Sequence, residues 1–238
     1  MLEVPFETSQ EQPTPANSEN MSEAKKAKKE GRKGKEGTKR EKGSVAFYDS
    51  EDDLLLEKQQ YMVWVDLEMS GLDVNKERIL EVAMIVTTRN LRVLEECGPF
   101  VMHQPDEILD NMDEWNTSHH TSSGLVDRVR ESTLTEKDVE DKLLQVLQKW
   151  VFPGMAPLAG SSVHADRAFL CKFMPRFIDH LHYRIIDVSS VLELCRRWNK
   201  PLLDCVPPKR NRHRAMDDIK DSINTLKFFR KEFFNTKD

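Results

Sequence analysis

The run Tyr61–Glu68 (YMVWVDLE) constrains this chain more than any other stretch. It is short, apolar and dense in β-formers, and Ser70-Gly71 breaks it, so it reads as a strand that opens a folded domain. Its last residues carry two carboxylates, Asp66 and Glu68, at a spacing of i and i+2. Arg78–Thr88 reads as a second strand. After an Arg89-Asn90 turn, Leu91–His103 reads as a third, interrupted near Gly98-Pro99. Connections this short predict an antiparallel meander.

The pattern then changes period. Residues 106–150 hold helical patterns, clearest over Thr135–Trp150, where Val139, Leu143, Val146, Leu147 and Trp150 fall on one face. Pro157–Val163 reads as a small-residue strand entering a turn, and Asp166–His180 as a helix with the stripe Phe169, Leu170, Phe173 and Phe177. Arg184–Val188 reads as a buried strand, Ser189–Trp198 as a helix, Pro201–Arg212 as a loop and Arg214–Phe234 as a long amphipathic helix. Trp64, Trp150 and Trp198 are assigned to core packing. Three antiparallel strands followed by alternating helices and parallel strands predict an α/β fold: a mixed sheet with helices on both faces.

All of this lies in residues 61–238, which are numerous enough to bury a core. Residues 1–60 lack apolar periodicity and read as a disordered extension. Within it, Ala24–Lys42 carries ten Lys/Arg against three Glu, a net +7 in a chain whose overall charge is −5. The chain as a whole is therefore not a polyelectrolyte-type binder of long nucleic acid, and the basic run reads as a solvated tail, a nuclear address or an RNA tether. Cys97, Cys171, Cys195 and Cys205 show neither metal-site spacing nor disulfide density. With no apolar leader and no apolar run of about 18 residues, we expect an intracellular protein off the membrane, cytoplasmic or nuclear. Four Glu and no Arg in the first twenty residues argue against an ordinary mitochondrial presequence without excluding one.

On a strand, i and i+2 share a face, so Asp66 and Glu68 project together and repel unless a cation joins them; hard divalent ions favour such oxygens. The chain contains a control, Asp138 and Glu140, at the same spacing on a helix, where they diverge and read as a solvated face. His213 and Asp218, at the entrance of the last helix, can face one site beside its first turn. His182 and Asp187 repeat that spacing on a strand, where five residues put them on opposite faces. Asp166 stands where a strand runs out and a helix begins, as a helix-end acid or a third site carboxylate.

With these positions in view, residues from Met62 to about Phe234 resemble the oligoribonuclease branch of the DEDDh exonucleases, enzymes with an RNase H-like fold. The resemblance rests on Val63–Leu72 (VWVDLEMSGL), His103–Asp106 (HQPD), Met112–Asn116 (MDEWN), Pro157–Val163 (PLAGSSV), His182–Ser189 (HYRIIDVS), Leu194–Trp198 (LCRRW) and His213–Asp218 (HRAMDD). It covers roughly three-quarters of the chain with every signature in order. Ser161 and Ser70 stand where that family commonly has Asn and Thr, and Asn199–Arg212 is the least family-like stretch.

The resemblance implies that Asp66, Glu68, Asp166 and Asp218 bind two Mg²⁺ or Mn²⁺ ions and that His213 is the general base. It implies a 3′→5′ exoribonuclease that degrades short single-stranded RNAs, down to dinucleotides, to 5′-mononucleotides. Leu72 and Trp115 would sandwich a base, while Ser162, Arg184 and Ser189 would cap the 5′ phosphate. Tyr183 would serve the active site of a second subunit, making the protein an obligate homodimer. Asp217 is one step off the pattern and is read as helix surface or as a residue standing behind the ligands. Two other readings stay open: a DEDDh exonuclease acting on longer DNA, and a catalytically silent RNA-binding module on the same fold.

Overall fold

The computed structural model describes residues 56–208 and 214–234. Expectations for residues 1–55, including the Lys-rich run, lie outside the described residues, as does His213. Residues 56–60 form a helical turn that delivers the chain to the buried Tyr61.

Five strands form one sheet: β1 (Met62–Met69), β2 (Ile79–Thr87), β3 (Val93–Val101), β4 (Pro157–Gly160) and β5 (His182–Asp187), in the order β3-β2-β1-β4-β5. β1 pairs antiparallel with β2 and parallel with β4, β2 pairs antiparallel with β3, and β4 runs parallel to β5. This is the mixed sheet read from the sequence. The two-residue period of β1 sorts its side chains cleanly. Val63, Val65 and Leu67 enter a core with Val139, Leu143 and Leu147 of α4 (Glu136–Trp150) and Phe169 and Leu170 of α5 (His164–Phe173). Met62 and Trp64 face the other way, into a core with Val188 of α7 (Val188–Trp198) and Ala215, Ile219 and Ile223 of α9 (Ala215–Glu232). Helices thus cover both faces, and β2 beneath them is buried along its whole length. Trp64 satisfies its indole N–H by donating to Thr87 Oγ1 at 2.9 Å.

The helical stretch before β4 is divided. α1 (Asp106–Asp110), α2 (Glu114–Ser122) and α3 (Leu125–Glu131) come in turn before α4, and Leu109 of α1, Met112 and Leu125, Val126 and Val129 of α3 close over Leu80. Gly124, at φ 69°, makes the left-handed turn from α2 into α3. The helix expected over 166–180 is two: α5, then α6 (Pro175–His180). Pro175 supplies no N–H, and Met174 before it leaves helical geometry at φ −137°. A short α8 (Lys200–Leu203) begins one residue before the loop expected from Pro201.

Three readings need correction. β5 is not buried: it has a single neighbouring strand, and Tyr183, Arg184 and Ile185 are exposed on it. Trp198 is not in the core, being 70% exposed at the end of α7. Trp150, by contrast, is partly buried against the first core and donates to Glu95. Glu140 is not on a solvated face: it is buried, accepting from Arg176 N at 2.7 Å and Phe177 N at 3.2 Å at the start of α6. Asp138 completes a capping box with Thr135, so the pair does diverge, but each member has its own structural task. Among the described residues no helix is long and apolar enough to cross a membrane.

Candidate active site

On β1, the residues following Trp64 on the α9 side are Asp66 and Glu68, at the strand's C-terminal end. α9 lays its stripe Ala215, Ile219 and Ile223 on that face, so its first turn reaches the same end of the strand. Asp218 flanks the stripe just before Ile219. One oxygen each from Asp66, Glu68 and Asp218 lies within 4.8 Å of the other two, and all three residues are partly buried. The structure therefore brings together three of the four carboxylates expected from the sequence.

Asp166 is attached beside this group rather than within it. β4 pairs with β1 only at Val63 and Trp64, so further along that edge the N–H of Leu67 is left for another acceptor. Asp166, in the first turn of α5, takes it through Oδ1 at 2.9 Å. The β4–α5 turn can come this close because residue 160 is glycine: a Cβ there would lie 2.9 Å from Val65 O and from a Val163 methyl. Burial pushes the Asp166 carboxyl up to about 6 despite the opposing backbone N–H donors. Glu68 is pushed further, to about 8, by burial first and then by the charges of Asp218, Glu81 and Asp166. A half-buried set of oxygen ligands with that much uncompensated negative charge fits a hard divalent cation.

Sequence reading missed His120. It is buried on α2, with Nε2 2.9 Å from Met69 O and Nδ1 4.0 Å from a Glu68 oxygen. The carbonyl can only accept, so Nε2 carries the proton and Nδ1 presents a lone pair toward Glu68. Burial holds its pKa below the usual range. Its signal in the sequence is its place five residues after Trp115, which only the α2 boundaries turn into a position beside β1.

A cleft of about 480 Å³ opens from Glu68 and His120 toward Leu72 and Trp115. Leu72 is 78% exposed and Trp115 62%. Trp115 is braced from behind by His119, one helical turn on, with ring centroids 4.4 Å apart and planes 12° apart. Leu72 sits on a loop clasped by Ser70, whose Oγ donates to Glu77 at 2.6 Å and accepts from Arg78 N at 3.0 Å. The smaller hydroxyl found where the family commonly has Thr thus does the loop's work.

Ser162 and Ser189 do meet, at Asp187: Ser162 N and Ser189 Oγ donate to its Oδ1 at 2.9 and 2.6 Å. The His182–Asp187 pair is accordingly not a site, because Asp187 caps α7 while His182 accepts from Arg184 N. The Arg184 guanidinium lies over the Tyr183 ring at 5.4 Å, and neither residue lines the cleft.

The sequence profile of the exonuclease family RNase_T matches residues 63–226. The bovine protein "Oligoribonuclease, mitochondrial" is 50% identical over 178 residues, covering 75% of each chain. The oligoribonuclease of Neisseria meningitidis serogroup A is 46% identical over 178 residues, 75% of this chain and 95% of that one. Among solved structures, S. pombe Pop2p in its Mg²⁺- and Mn²⁺-bound form superposes with a TM-score of 0.59 at 13% identity, over 78% of this chain and 89% of that one. E. coli exonuclease I with a dT13 oligonucleotide gives 0.56 at 16%, over 74% of this chain but only 42% of that one. At these identities the structural matches speak to fold alone: a mixed sheet between helices.

Proposed function

The chain belongs to the oligoribonucleases of the RNase_T exonuclease family, and on that premise we propose that it removes 5′-mononucleotides from the 3′ end of short single-stranded RNAs, dinucleotides included. The cleft is the observation that carries this reading: Glu68, one of the three grouped carboxylates, lines its inner end, two exposed apolar side chains stand at its mouth, and about 480 Å³ lies between, a volume suited to a small ligand.

Asp66, Glu68, Asp218 and the second oxygen of Asp166 would hold Mg²⁺ or Mn²⁺, two ions per site. Bound there, divalent ions supply a more acidic attacking water and neutralise charge on the departing 3′ oxygen. The residues must first release protons, since Glu68 and Asp166 are both held above the ordinary carboxylate range. His213, which immediately precedes Arg214 in the chain, takes the proton of the attacking water. Leu72 and the braced Trp115 sandwich a base; stacking tolerates any sequence because every base has a π-face. Ser162, Ser189 and Arg184 hold the 5′ phosphate. The Ser162 N–H and the Ser189 hydroxyl both donate to Asp187, and Arg184 is the one cationic side chain of the three.

Tyr183 reaches the reaction by dimerisation, each site receiving the partner's Tyr183. Edge strand β5 exposes Tyr183 and Ile185, and α7 exposes Leu194 and Trp198, apolar surface of the kind that marks an interface. We place the enzyme inside the cell on its cysteine pattern, with residues 1–60 as an extension to a 61–238 catalytic domain. The bovine, human and mouse relatives are named mitochondrial, so fractionation should test that compartment first.

Incubating the purified protein with Mg²⁺ and di- to pentaribonucleotides should yield mononucleotides, and Asp66→Ala should abolish this. Attack on long single-stranded DNA with dinucleotides untouched would make the protein a DNA exonuclease instead. RNA binding with no cleavage, unchanged in Glu68→Ala and Asp218→Ala, would make it a silent module.

A further inference from the structure

We propose that Glu81 and Arg128 form a positioning pair that ties the first turn of α9, and with it Asp218, to the sheet and to the α2–α3 hairpin carrying Trp115. This rests on the assignment of Asp66, Glu68 and Asp218 as the ligand group. Glu81 stands directly opposite Glu68 in the β1–β2 register and is 1% exposed. It could pass for a further acid of the site, but both its oxygens are engaged elsewhere. Oε2 accepts from Arg128 Nη1 at 2.7 Å, and Oε1 accepts from Ala215 N at 3.3 Å. These partners stand 47 and 134 residues away in the chain, so one carboxylate joins three segments that have no local reason to meet.

The link to α9 has a definite task. The N-cap residue of α9, Arg214, makes no side-chain cap hydrogen bond, and Glu81 gives Ala215 N, one of the N–H groups that the helix itself leaves without a partner, an acceptor from outside the helix. Its negative charge also lies at the favourable end of the helix. Arg214 adds a second tie to the same hairpin, donating from Nη2 to Ser123 O at 3.3 Å. Asp218 follows Ala215 by less than one helical turn, so a small rotation of that turn changes the distances from Asp218 to Asp66 and Glu68. A ligand group confined within 4.8 Å has little tolerance for such a change. Arg128 supplies the opposite charge for a carboxylate in so buried a place. A pair of this kind holds an orientation better than it adds stability, since apolar residues of similar volume would pack the same space without a desolvation cost.

The test is a set of variants, Glu81→Gln, Arg128→Met, Arg128→Lys and the double Glu81→Gln/Arg128→Met, beside Asp66→Ala. Three readouts are taken: kcat and KM on a diribonucleotide, calorimetric Mn²⁺ affinity, and melting temperature without metal. We expect Glu81→Gln to lower both kcat and Mn²⁺ affinity at least tenfold with KM within threefold. Arg128→Lys, which keeps a cation in reach, should recover a third or more of wild-type kcat even if Arg128→Met fails to fold. The double variant should be no worse than the worse single one, because the two residues act as one unit. If Glu81→Gln loses melting temperature but binds Mn²⁺ and turns over as wild type does, the pair is merely structural and the proposal is overturned. Additive losses in the double variant would overturn it too. If Asp66→Ala still binds Mn²⁺ like wild type, the ligand group itself is misassigned, and the positioning role falls with it.

Discussion

Glu68 should destabilise the metal-free protein, and Glu68→Gln should reveal by how much. The side chain is mostly buried, and its carboxyl is pushed from an ordinary 4.5 to about 8, by burial first and then by Asp218, Glu81 and Asp166. A raised carboxyl pKa means that the folded protein keeps a proton which the unfolded chain has lost. The stability linked to Glu68 is therefore complete below pH 4.5 and drains away as pH rises through 8. At 1.36 kcal/mol per pKa unit the full loss is about 4–5 kcal/mol, of which about 2 kcal/mol is gone by pH 6. Glutamine has the same shape and no charge to lose. Comparing variant with wild type cancels the titrating groups that lie away from Glu68. Melting curves in chelator should coincide near pH 4.5 and separate steadily toward pH 8.5. There the variant should melt roughly 8–20 °C higher, at about 2–4 °C per kcal/mol for a domain this size. Saturating Mn²⁺ should reverse the order, because only wild type gains the full ligand set. A metal-free difference that does not vary between pH 5 and 8.5, or a wild type more stable than the variant at pH 8, would refute the account of a strained, cation-seeking carboxylate.

Removing the indole in Trp115→Ala should raise KM for a diribonucleotide about tenfold, since stacking is worth about 1–3 kcal/mol per base, with kcat changed less than threefold. A fall confined to kcat would show that Trp115 does more than bind. Gly160→Ala should lower stability by about 1–3 kcal/mol, because the added methyl meets Val65 O at 2.9 Å; chemical denaturation reads this, and an unchanged midpoint would mean the turn yields freely. Glu140→Ala leaves Arg176 N and Phe177 N without their acceptor and should cost about 2 kcal/mol, while kcat at 25 °C stays as in wild type. Trp198→Glu should turn the proposed homodimer into monomers by light scattering and abolish dinucleotide cleavage; an active dimer would remove α7 from the interface.

The fold was legible wherever side-chain period and burial agreed. α4 buries one face at the helical period, while β1 and β2 are short apolar runs buried on both faces, so pattern alone located them. It misplaced β5 because Ile185 and Ile186 look like core residues in any strand, and only the strand order leaves this one at an edge. Trp198 misled for the same reason: the helix period was right, but among the described residues none covers that end of α7. The break between α5 and α6 was written in Pro175, which was available to the reading and outweighed by the aromatic stripe running through it.

The site was legible to the extent that its geometry is local. Asp66 and Glu68 share a face because a strand alternates, and nothing distant is needed to know it. The helical control shows the converse. Asp138 and Glu140 diverge as helix geometry demands, yet divergence did not make Glu140 a surface residue, because its fate was set by Arg176 and Phe177, which arrive from another helix. Glu81 is the same case at the site itself. In the sequence it interrupts the apolar run Ile79–Val86 as a lone acid, which marks it as anomalous and says nothing of why. Its reason is Ala215, 134 residues downstream, and a contact at that separation leaves no periodic trace. A carboxylate's spacing thus predicts which neighbours on its own element it faces. Whether it becomes a ligand, a helix cap or a strut is decided by what the rest of the chain brings within reach of its oxygens.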